Sequence, residues 1–279
     1  MRAAALLLVL AACSAFDPVQ QVPQQTYREV ASTRSAIELI LAENPAPRVY
    51  AIGEYHQTRN AVATTSPLAR FSREIIGLLE PRARHLIVEA WLDGDCVSSH
   101  QLTHDVAAAT GHSTATAMEV MHLVRTSQRL GMEAHGLPMT CIEHDAMVSA
   151  DGHVNFLLLL EVITDKLAET ARATLAADPD HAVIVYGGAL HNDLYPHWPL
   201  EELSYAKPIA RELGGRVLEI DLVVPEVVAP MQMIRGEPWY PLLARAAPDR
   251  VIVWERGPAS YVVILPAQDT KLAKLVDVM

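Results

Sequence analysis

The chain has 279 residues, of which 51% are apolar and 20% are charged, as expected for a globular protein with a sizeable core. Its formal net charge is −11. This acidic balance argues against a nucleic-acid partner and against charge-driven binding to anionic membranes, because both need a cationic surface.

The N-terminus has the features of a secretory signal peptide. It reads MRAAALLLVLAAC, one arginine followed by a short apolar stretch that ends in small residues. The stretch is shorter than the roughly 20 apolar residues that span a bilayer. Leu10 to Cys13 resemble a bacterial lipobox, which predicts a signal peptide over residues 1–12 and a lipid anchor at Cys13. The alternative is a plain signal peptide with a chance cysteine.

The lipobox also predicts a location. The mature protein is expected to be lipid-anchored in the cell envelope. The residue after the cysteine is Ser14 and not an aspartate. This favours the outer membrane, on the side that faces the periplasm. Residues 14–30 are polar, contain Gln and Pro and have no periodicity, so we predict a tether over residues 13–30.

Helical and strand patterns alternate along the remaining chain, residues 31–279. The predicted helices cover residues 32–44, 66–81, 113–131, 153–176 and 200–215. The predicted strands cover residues 47–53, 84–91, 132–138, 181–188 and 216–224, and a hairpin covers 249–266. We therefore expect one α/β domain with a mainly parallel sheet, helices on both faces and a C-terminal antiparallel hairpin.

Polar residues follow several of these strands at their carboxyl ends. Glu54 and His56 follow the first, Glu89 ends the second, and His191 follows two glycines after the fourth. In open α/β sheets these ends share one edge, where the binding crevice lies. Side chains alternate along a strand, so Glu54 and His56 should face one way and Tyr55 the other. The bland alternative is that the glutamates form surface salt bridges at the sheet edge.

A hydrogen-bonded core histidine explains His135 as well as a site role does. We keep His135 as a fifth candidate, and His135 and Tyr55 as candidate cofactor-binding residues. No Gly-x-Ser-x-Gly elbow is present, which argues against a serine nucleophile. Nucleotide-binding glycine patterns are also absent.

Two cysteines remain after Cys13. Cys96 and Cys141 each follow a predicted strand by a few residues. An exported protein meets an oxidising compartment, where an even pair of cysteines is commonly bridged. We predict a disulfide between Cys96 and Cys141; the alternative is two free thiols.

Three segments, AIGEYHQ, HLIVEAW and VIVYGGALHND, resemble those of a superfamily that joins erythromycin esterase-like enzymes, ChaN-like haem-binding lipoproteins and Tiki/TraB proteins. In this superfamily a Gly-Glu-x-His motif closes the first strand, matched by Gly53, Glu54 and His56. A glutamate closes the second strand, matched by Glu89, and a late Gly-x-x-x-His matches at His191. The resemblance covers about residues 45–225 by element order.

The resemblance implies three different activities. Esterase-like members use a histidine as general base on water, Tiki-type members are regarded as metal-dependent proteases, and ChaN-like members bind haem or iron. We expect a hydrolase for an ester, lactone or amide, with His56 or His191 as general base on water. Glu54 and Glu89 would orient the imidazoles, or a divalent metal would be held by Glu54, His56 and His191. The alternative is a haem- or iron-binding lipoprotein, with Tyr55 or the histidines as ligands.

The lipid anchor can be tested directly. We expect mass spectrometry of the membrane fraction to find Cys13 as an acylated N-terminal residue, because the lipobox directs cleavage before it. Replacement of Cys13 by serine should release the protein from the membrane. Recovery of the wild-type protein with an unmodified Cys13 outside the membrane fraction would contradict this expectation.

Overall fold

The computed structural model describes residues 26–57, 64–90, 115–148, 153–197 and 199–268. These residues form a mixed α/β fold with an eight-stranded sheet in the order β1-β7-β8-β6-β2-β5-β3-β4. The strands are β1 Tyr27–Val30, β2 Val49–Glu54, β3 Ala83–Val88, β4 Glu133–His135, β5 Ala182–Gly188, β6 Val217–Val223, β7 Val251–Gly257 and β8 Ser260–Ile264. Strand pairs are parallel except β1 with β7 and β7 with β8, so the expected parallel sheet with a C-terminal antiparallel hairpin is confirmed.

Helices cover both faces of the sheet. The α-helices in the described residues are α1 Thr33–Glu43, α2 Pro67–Arg70, α3 Ile76–Leu79, α4 Ala115–Arg129, α5 Cys141–Met147, α6 Phe156–Ala177, α7 Ala189–Asn192, α8 Ala206–Glu212 and α9 Pro225–Val228. A π-helical turn, Phe71–Ile75, joins α2 to α3. None of the described helices is long and apolar enough to cross a lipid bilayer.

The central strands are buried on both sides, as their continuous apolar sequences predict. In β2, Tyr50 and Ile52 contact the core on the side of α1 to α4, and Val49 and Ala51 contact the core on the side of α6 and α8. A parallel sheet covered on both faces needs strands of this composition. A third apolar cluster, which includes Trp239, packs on the hairpin.

Two elements differ from the expectation. Residues 27–30 form an edge strand that pairs with β7, so the folded domain begins before residue 31 and the tether prediction is wrong for these four residues. The segment 200–215 contains a 3-10 turn, Glu201–Leu203, and a separate helix α8. Pro208 is tolerated there because it lies in the first turn of α8, where backbone N–H groups have no partner within the helix.

The topology predicts a crevice between β2 and β5. The chain leaves β2 toward α2 on one face of the sheet and leaves β5 toward α7 and α8, with α8 packed on the other face. Adjacent strands whose connections diverge in this way open a gap at their carboxyl ends, which is where α/β proteins bind ligands. Glu54 of β2 is paired with Gly188 of β5 at this gap.

Gly53 supports a specific stability prediction. A Cβ atom at Gly53 would overlap Oδ1 of Asp221 and lie 2.9 Å from Cα of Ala189. The Asp221 carboxylate is held by Arg256 at 2.8 Å and cannot easily move. We expect Gly53→Ala to lower the free energy of unfolding by about 1–3 kcal/mol, as overpacking of a core does.

The matched control is Gly77→Ala in α3, where a Cβ atom would meet nothing within 4 Å. This control should stabilise the protein by about 0.5–1 kcal/mol, the usual gain for alanine over glycine in a helix. Urea unfolding of both variants measures the difference. Equal stability of Gly53→Ala and wild type would contradict the packing argument.

Candidate functional site

The carboxyl end of β2 presents a hydrogen-bonded Glu54–His56 pair. Nδ1 of His56 lies 2.7 Å from Oε1 of Glu54. Tyr186 of β5 donates its hydroxyl to the second oxygen, Oε2, of Glu54. Glu54 is buried, whereas the His56 side chain is 31% exposed. The buried carboxylate therefore fixes the orientation of the imidazole that reaches the surface of the site.

Glu89, directly after β3, approaches the same histidine from the other side. Its Oε1 lies 3.8 Å from Nε2 of His56, and its Oε2 accepts a 2.6 Å hydrogen bond from the backbone N–H of Gly188. The Glu89 side chain is mostly buried. Glu89 is therefore part of the site, where the sequence also allowed a salt bridge at the surface of the sheet.

Two glycines make this approach possible, because β5 lies between β2 and β3. A Cβ atom at Gly187 would lie 2.5 Å from Oε2 of Glu89. A Cβ atom at Gly188 would lie 3.2 Å from Nε2 of His56 and 3.6 Å from Cδ2 of His191. The end of β5 thus has no side chains where Glu89, His56 and His191 converge.

His191 lies in α7, which follows β5 without a break. Its Nδ1 is 2.9 Å from Oγ1 of Thr164 and 3.1 Å from the carbonyl oxygen of Leu203. A carbonyl can only accept, and the Thr164 hydroxyl donates to the carbonyl of Leu160, so Nδ1 carries the proton. The lone pair of the neutral ring is therefore on Nε2, and no described residue hydrogen-bonds to that atom.

Neighbouring residues keep α7 in place. The Asn192 side-chain amide donates to the carbonyl oxygens of Ile52 and Gly188, and its oxygen accepts a 2.5 Å hydrogen bond from Tyr205. These contacts join α7 to both strands of the crevice. The short helix is thus held by its C-terminal side chain.

The two histidines have opposite electrostatic surroundings. Burial lowers the pKa of His56, but hydrogen bonds and charge from Glu54 and Glu89 outweigh it and raise that pKa to about 10. Burial lowers the pKa of His191; the charge of Glu89 and the hydrogen bond to Leu203 oppose this effect, and the positive His56 adds to it. His56 is therefore protonated and His191 neutral near pH 7.

Burial raises the pKa of Glu89, but the charge that His191 carries once it is protonated at acid pH, together with the hydrogen bond and charge of His56, outweighs burial and brings the pKa to about 2. Glu89 is therefore ionised at every pH near neutrality. One imidazolium between carboxylates is the arrangement that satisfies both kinds of charge in a largely buried site.

Two residues that interact with Glu54, Tyr186 and Glu119, were not predicted from the sequence. Tyr186 lies inside β5 and has the pattern of a core aromatic residue. Glu119 lies on α4, where its carboxylate accepts a 2.7 Å hydrogen bond from Ser66, the N-cap of α2. Burial raises the pKa of Glu119, and the charge of Glu54 raises it further. Neither residue follows a strand end, so the criterion that found the other four could not find these.

A buried ion network lies beside the crevice, on β6 and β7. Arg256 contacts Asp193 at 2.8 Å, Glu219 at 2.9 Å and Asp221 at 2.8 Å. Burial raises the pKa of Asp221 to about 6, against the opposing effect of Arg256. Glu219 also accepts a hydrogen bond from the backbone N–H of Leu194. The network thus fixes the segment that follows α7.

Two predicted cofactor-binding residues lie apart from these contacts. Tyr55 packs its ring on Trp239 with the centroids 5.4 Å apart, on the opposite side from Glu54 as strand alternation predicts. Nε2 of His135 lies 3.1 Å from Nδ1 of His85, at the β3–β4 edge of the sheet. The structure therefore brings His135 to His85, because its short strand β4 pairs with β3, and a role for His135 as a fifth member of the site stays a prediction.

The predicted metal ligands, Glu54, His56 and His191, are not arranged around a common point. Among the described residues, a set of three metal-ligating atoms within 4.8 Å of one another occurs at His85, Glu133 and His135, and not at the Glu54–His56 pair. Nδ1 of His56 is used by Glu54, and Nδ1 of His191 points to Thr164. These contacts favour an acid–base site over a metal site in the crevice.

One of the two cysteines of the predicted disulfide, Cys141, lies in the described residues. Cys141, the first residue of α5, is disulfide-bonded. Cys96, the partner expected from the sequence, and the proposed lipid site Cys13 lie outside the described residues. The Cys96–Cys141 pairing stays a prediction.

Comparisons with known proteins give little information. No family model and no curated protein matches the chain. The solved structure of the type III effector HopBA1 is similar at 17% sequence identity with a TM-score of 0.44, and the match covers 89% of this chain and 99% of that one. At this level the similarity supports no conclusion about function.

The electrostatic contrast between the histidines can be measured by NMR. We expect the His56 ring to titrate near pH 10, and Glu54→Gln to move the titration down toward the ordinary value of 6.5, because the neutral amide removes the main opposing charge. The stabilisation from the raised pKa is fully present below pH 6.5 and is lost as pH rises toward 10.

The matched control is Glu38→Gln, an exposed glutamate on α1, which should leave the His56 titration unchanged. Thermal unfolding from pH 6 to pH 10 gives the corresponding stability in wild type and both variants. Titration of His56 at the same pH in Glu54→Gln and wild type would contradict the assigned role of Glu54.

Proposed function

We propose that this protein is a hydrolase that cleaves an ester, lactone or amide, anchored in the cell envelope through Cys13. One observation carries the proposal: two histidines flank Gly188, one kept protonated by Glu54 and Glu89 and the other kept neutral by burial. Pairs of titratable groups whose surroundings push their pKa values apart are typical of acid–base catalysis.

His191 is the better general base of the two. Its Nδ1 proton is used by Thr164 and Leu203, which leaves the lone pair on Nε2, and the adjacent ring carbon Cδ2 would lie 3.6 Å from a Cβ atom at Gly188. A neutral imidazole can take a proton from water as the water attacks a carbonyl carbon. His56 was an equal candidate from the sequence, but its raised pKa makes it a poor base at neutral pH.

His56 is suited to the complementary role of acid. It carries a proton, is held by Glu54 and is more exposed than any other of the four. In the proposed reaction, a water oxygen bonds to the carbonyl carbon and its proton passes to Nε2 of His191. The bond to the leaving oxygen or nitrogen then breaks, and that atom takes a proton from His56. Solvent restores both protonation states.

Haem binding, the alternative function, has less support from the described contacts. An axial ligand needs an available nitrogen or phenolate. His56 faces a carboxylate at each ring nitrogen, and Tyr55 packs on Trp239 away from His191. A Soret band in protein purified from haem-supplied cells would favour the alternative.

Hydrolysis can be tested with p-nitrophenyl acetate, a γ-lactone and a p-nitroanilide. We expect His191→Gln and His56→Gln each to lower kcat by about 10²–10⁴-fold on whichever substrate is turned over, the usual contribution of general acid–base groups. The matched control is His197→Gln, an exposed histidine beyond α7, which should keep full activity.

The pH profile separates the two roles. Activity should fall at acid pH as His191 gains a proton, and at alkaline pH near 10 as His56 loses one. In His56→Gln the alkaline fall should disappear while the acid fall remains. Unchanged turnover in folded His191→Gln would contradict the proposal. So would a wild-type protein that cleaves none of the three substrates.

A further inference from the structure

A second cluster of ligating side chains lies at the edge of the sheet formed by β3 and β4. It contains His85, Glu133 and His135, whose ligating atoms all lie within 4.8 Å of one another. The register pairs His85 with Glu133, and His135 is two residues further along β4, so all three side chains share one face. The strands thus bring two imidazoles and a carboxylate together without any loop.

We propose that His85, Glu133 and His135 form a binding site for a divalent transition metal ion of the zinc class. The set of two histidines and one carboxylate is one that zinc and non-haem iron sites use. The site is independent of the proposed hydrolase activity, because it shares no residue with the crevice.

The distances fit one ion. Nδ1 of His85 and Nε2 of His135 are 3.1 Å apart. Two nitrogens bound to one tetrahedral ion at roughly 2.0–2.1 Å are separated by about 3.3 Å, close to what is observed. Oε2 of Glu133 lies 3.8 Å from Nδ1 of His85, and the Glu133 side chain is 69% exposed, so its carboxylate has room to turn toward the ion.

Asp178 prepares His85 for this role. Its Oδ2 lies 3.1 Å from Nε2 of His85, and it also bonds His181. With the His85 proton on Nε2 toward Asp178, the lone pair of Nδ1 faces His135 and Glu133. A carboxylate behind a metal-binding histidine fixes the tautomer and raises the basicity of the ring in this way. This contact distinguishes the cluster from a chance meeting of surface histidines.

The place of the cluster in the sheet agrees with this geometry. Because β4 is an edge strand of three residues, an ion held by His85, Glu133 and His135 would tie β4 to β3.

The test is a calorimetric titration of metal-free, full-length protein with zinc chloride. We expect wild type to bind one more equivalent than the double variant His85→Gln/His135→Gln. Asp178→Asn should keep the site but weaken it about 10–100-fold, the usual effect of a residue behind a ligand. The matched control, His122→Gln on the exposed face of α4, should bind as wild type does.

A second measurement on wild type does not depend on how the variants fold. Zinc should shift the ¹⁵N resonances of the His85 and His135 rings, at the Nδ1 and Nε2 atoms that face each other. Equal zinc stoichiometry and affinity in wild type and a folded double variant would overturn the proposal. So would zinc binding that leaves both ring resonances in place, which would identify the pair as a plain histidine–histidine hydrogen bond.

Discussion

The proposed active site depends on the lack of side chains at the end of β5. Gly187 and Gly188 lie between β2 and β3, and a Cβ atom at Gly187 would lie 2.5 Å from Oε2 of Glu89. Without this space, Glu89 could not accept the backbone N–H of Gly188, and the His56 ring could not lie over the strand. Helix α7 begins at once after β5 and places His191 next to Gly188.

The buried charges need compensation. Glu54 is paired with His56 and Tyr186, and Glu89 with His56 and a backbone N–H. Burying a carboxylate without such partners is costly, and removing one partner leaves the other as an uncompensated buried charge. The same rule explains the network of Arg256, which lies on the other side of Gly53 and fixes the chain after α7. The crevice thus lies between two ion networks. One contains the partly exposed His56, and the other, around Arg256, is largely buried.

Much of this arrangement could be predicted from the sequence. Strand ends of a parallel sheet share an edge, so Glu54, Glu89 and His191 could be grouped before any contact was known. His135 could not be assigned, because the rule does not say which strand lies at the edge of the sheet. Residues 27–30 lack a clear strand pattern, because a short edge strand that is covered on one face contains few apolar residues. Glu119 lies on a helix, from which its charge acts on Glu54, and helical periodicity alone does not reveal which turn lies near a crevice.

The roles of the two histidines show what spacing can and cannot determine. The motif Glu-x-His brings a carboxylate next to His56, and Gly-x-x-x-His brings His191 into the same gap, but both rings look alike in sequence. Their difference comes from partners that are distant in the chain. His56 meets Glu89 from another strand, and His191 meets Thr164 from α6 and the carbonyl of Leu203. Which of the two rings is protonated is therefore a property of the folded chain. This difference in protonation state separates the acid from the base in the proposed reaction.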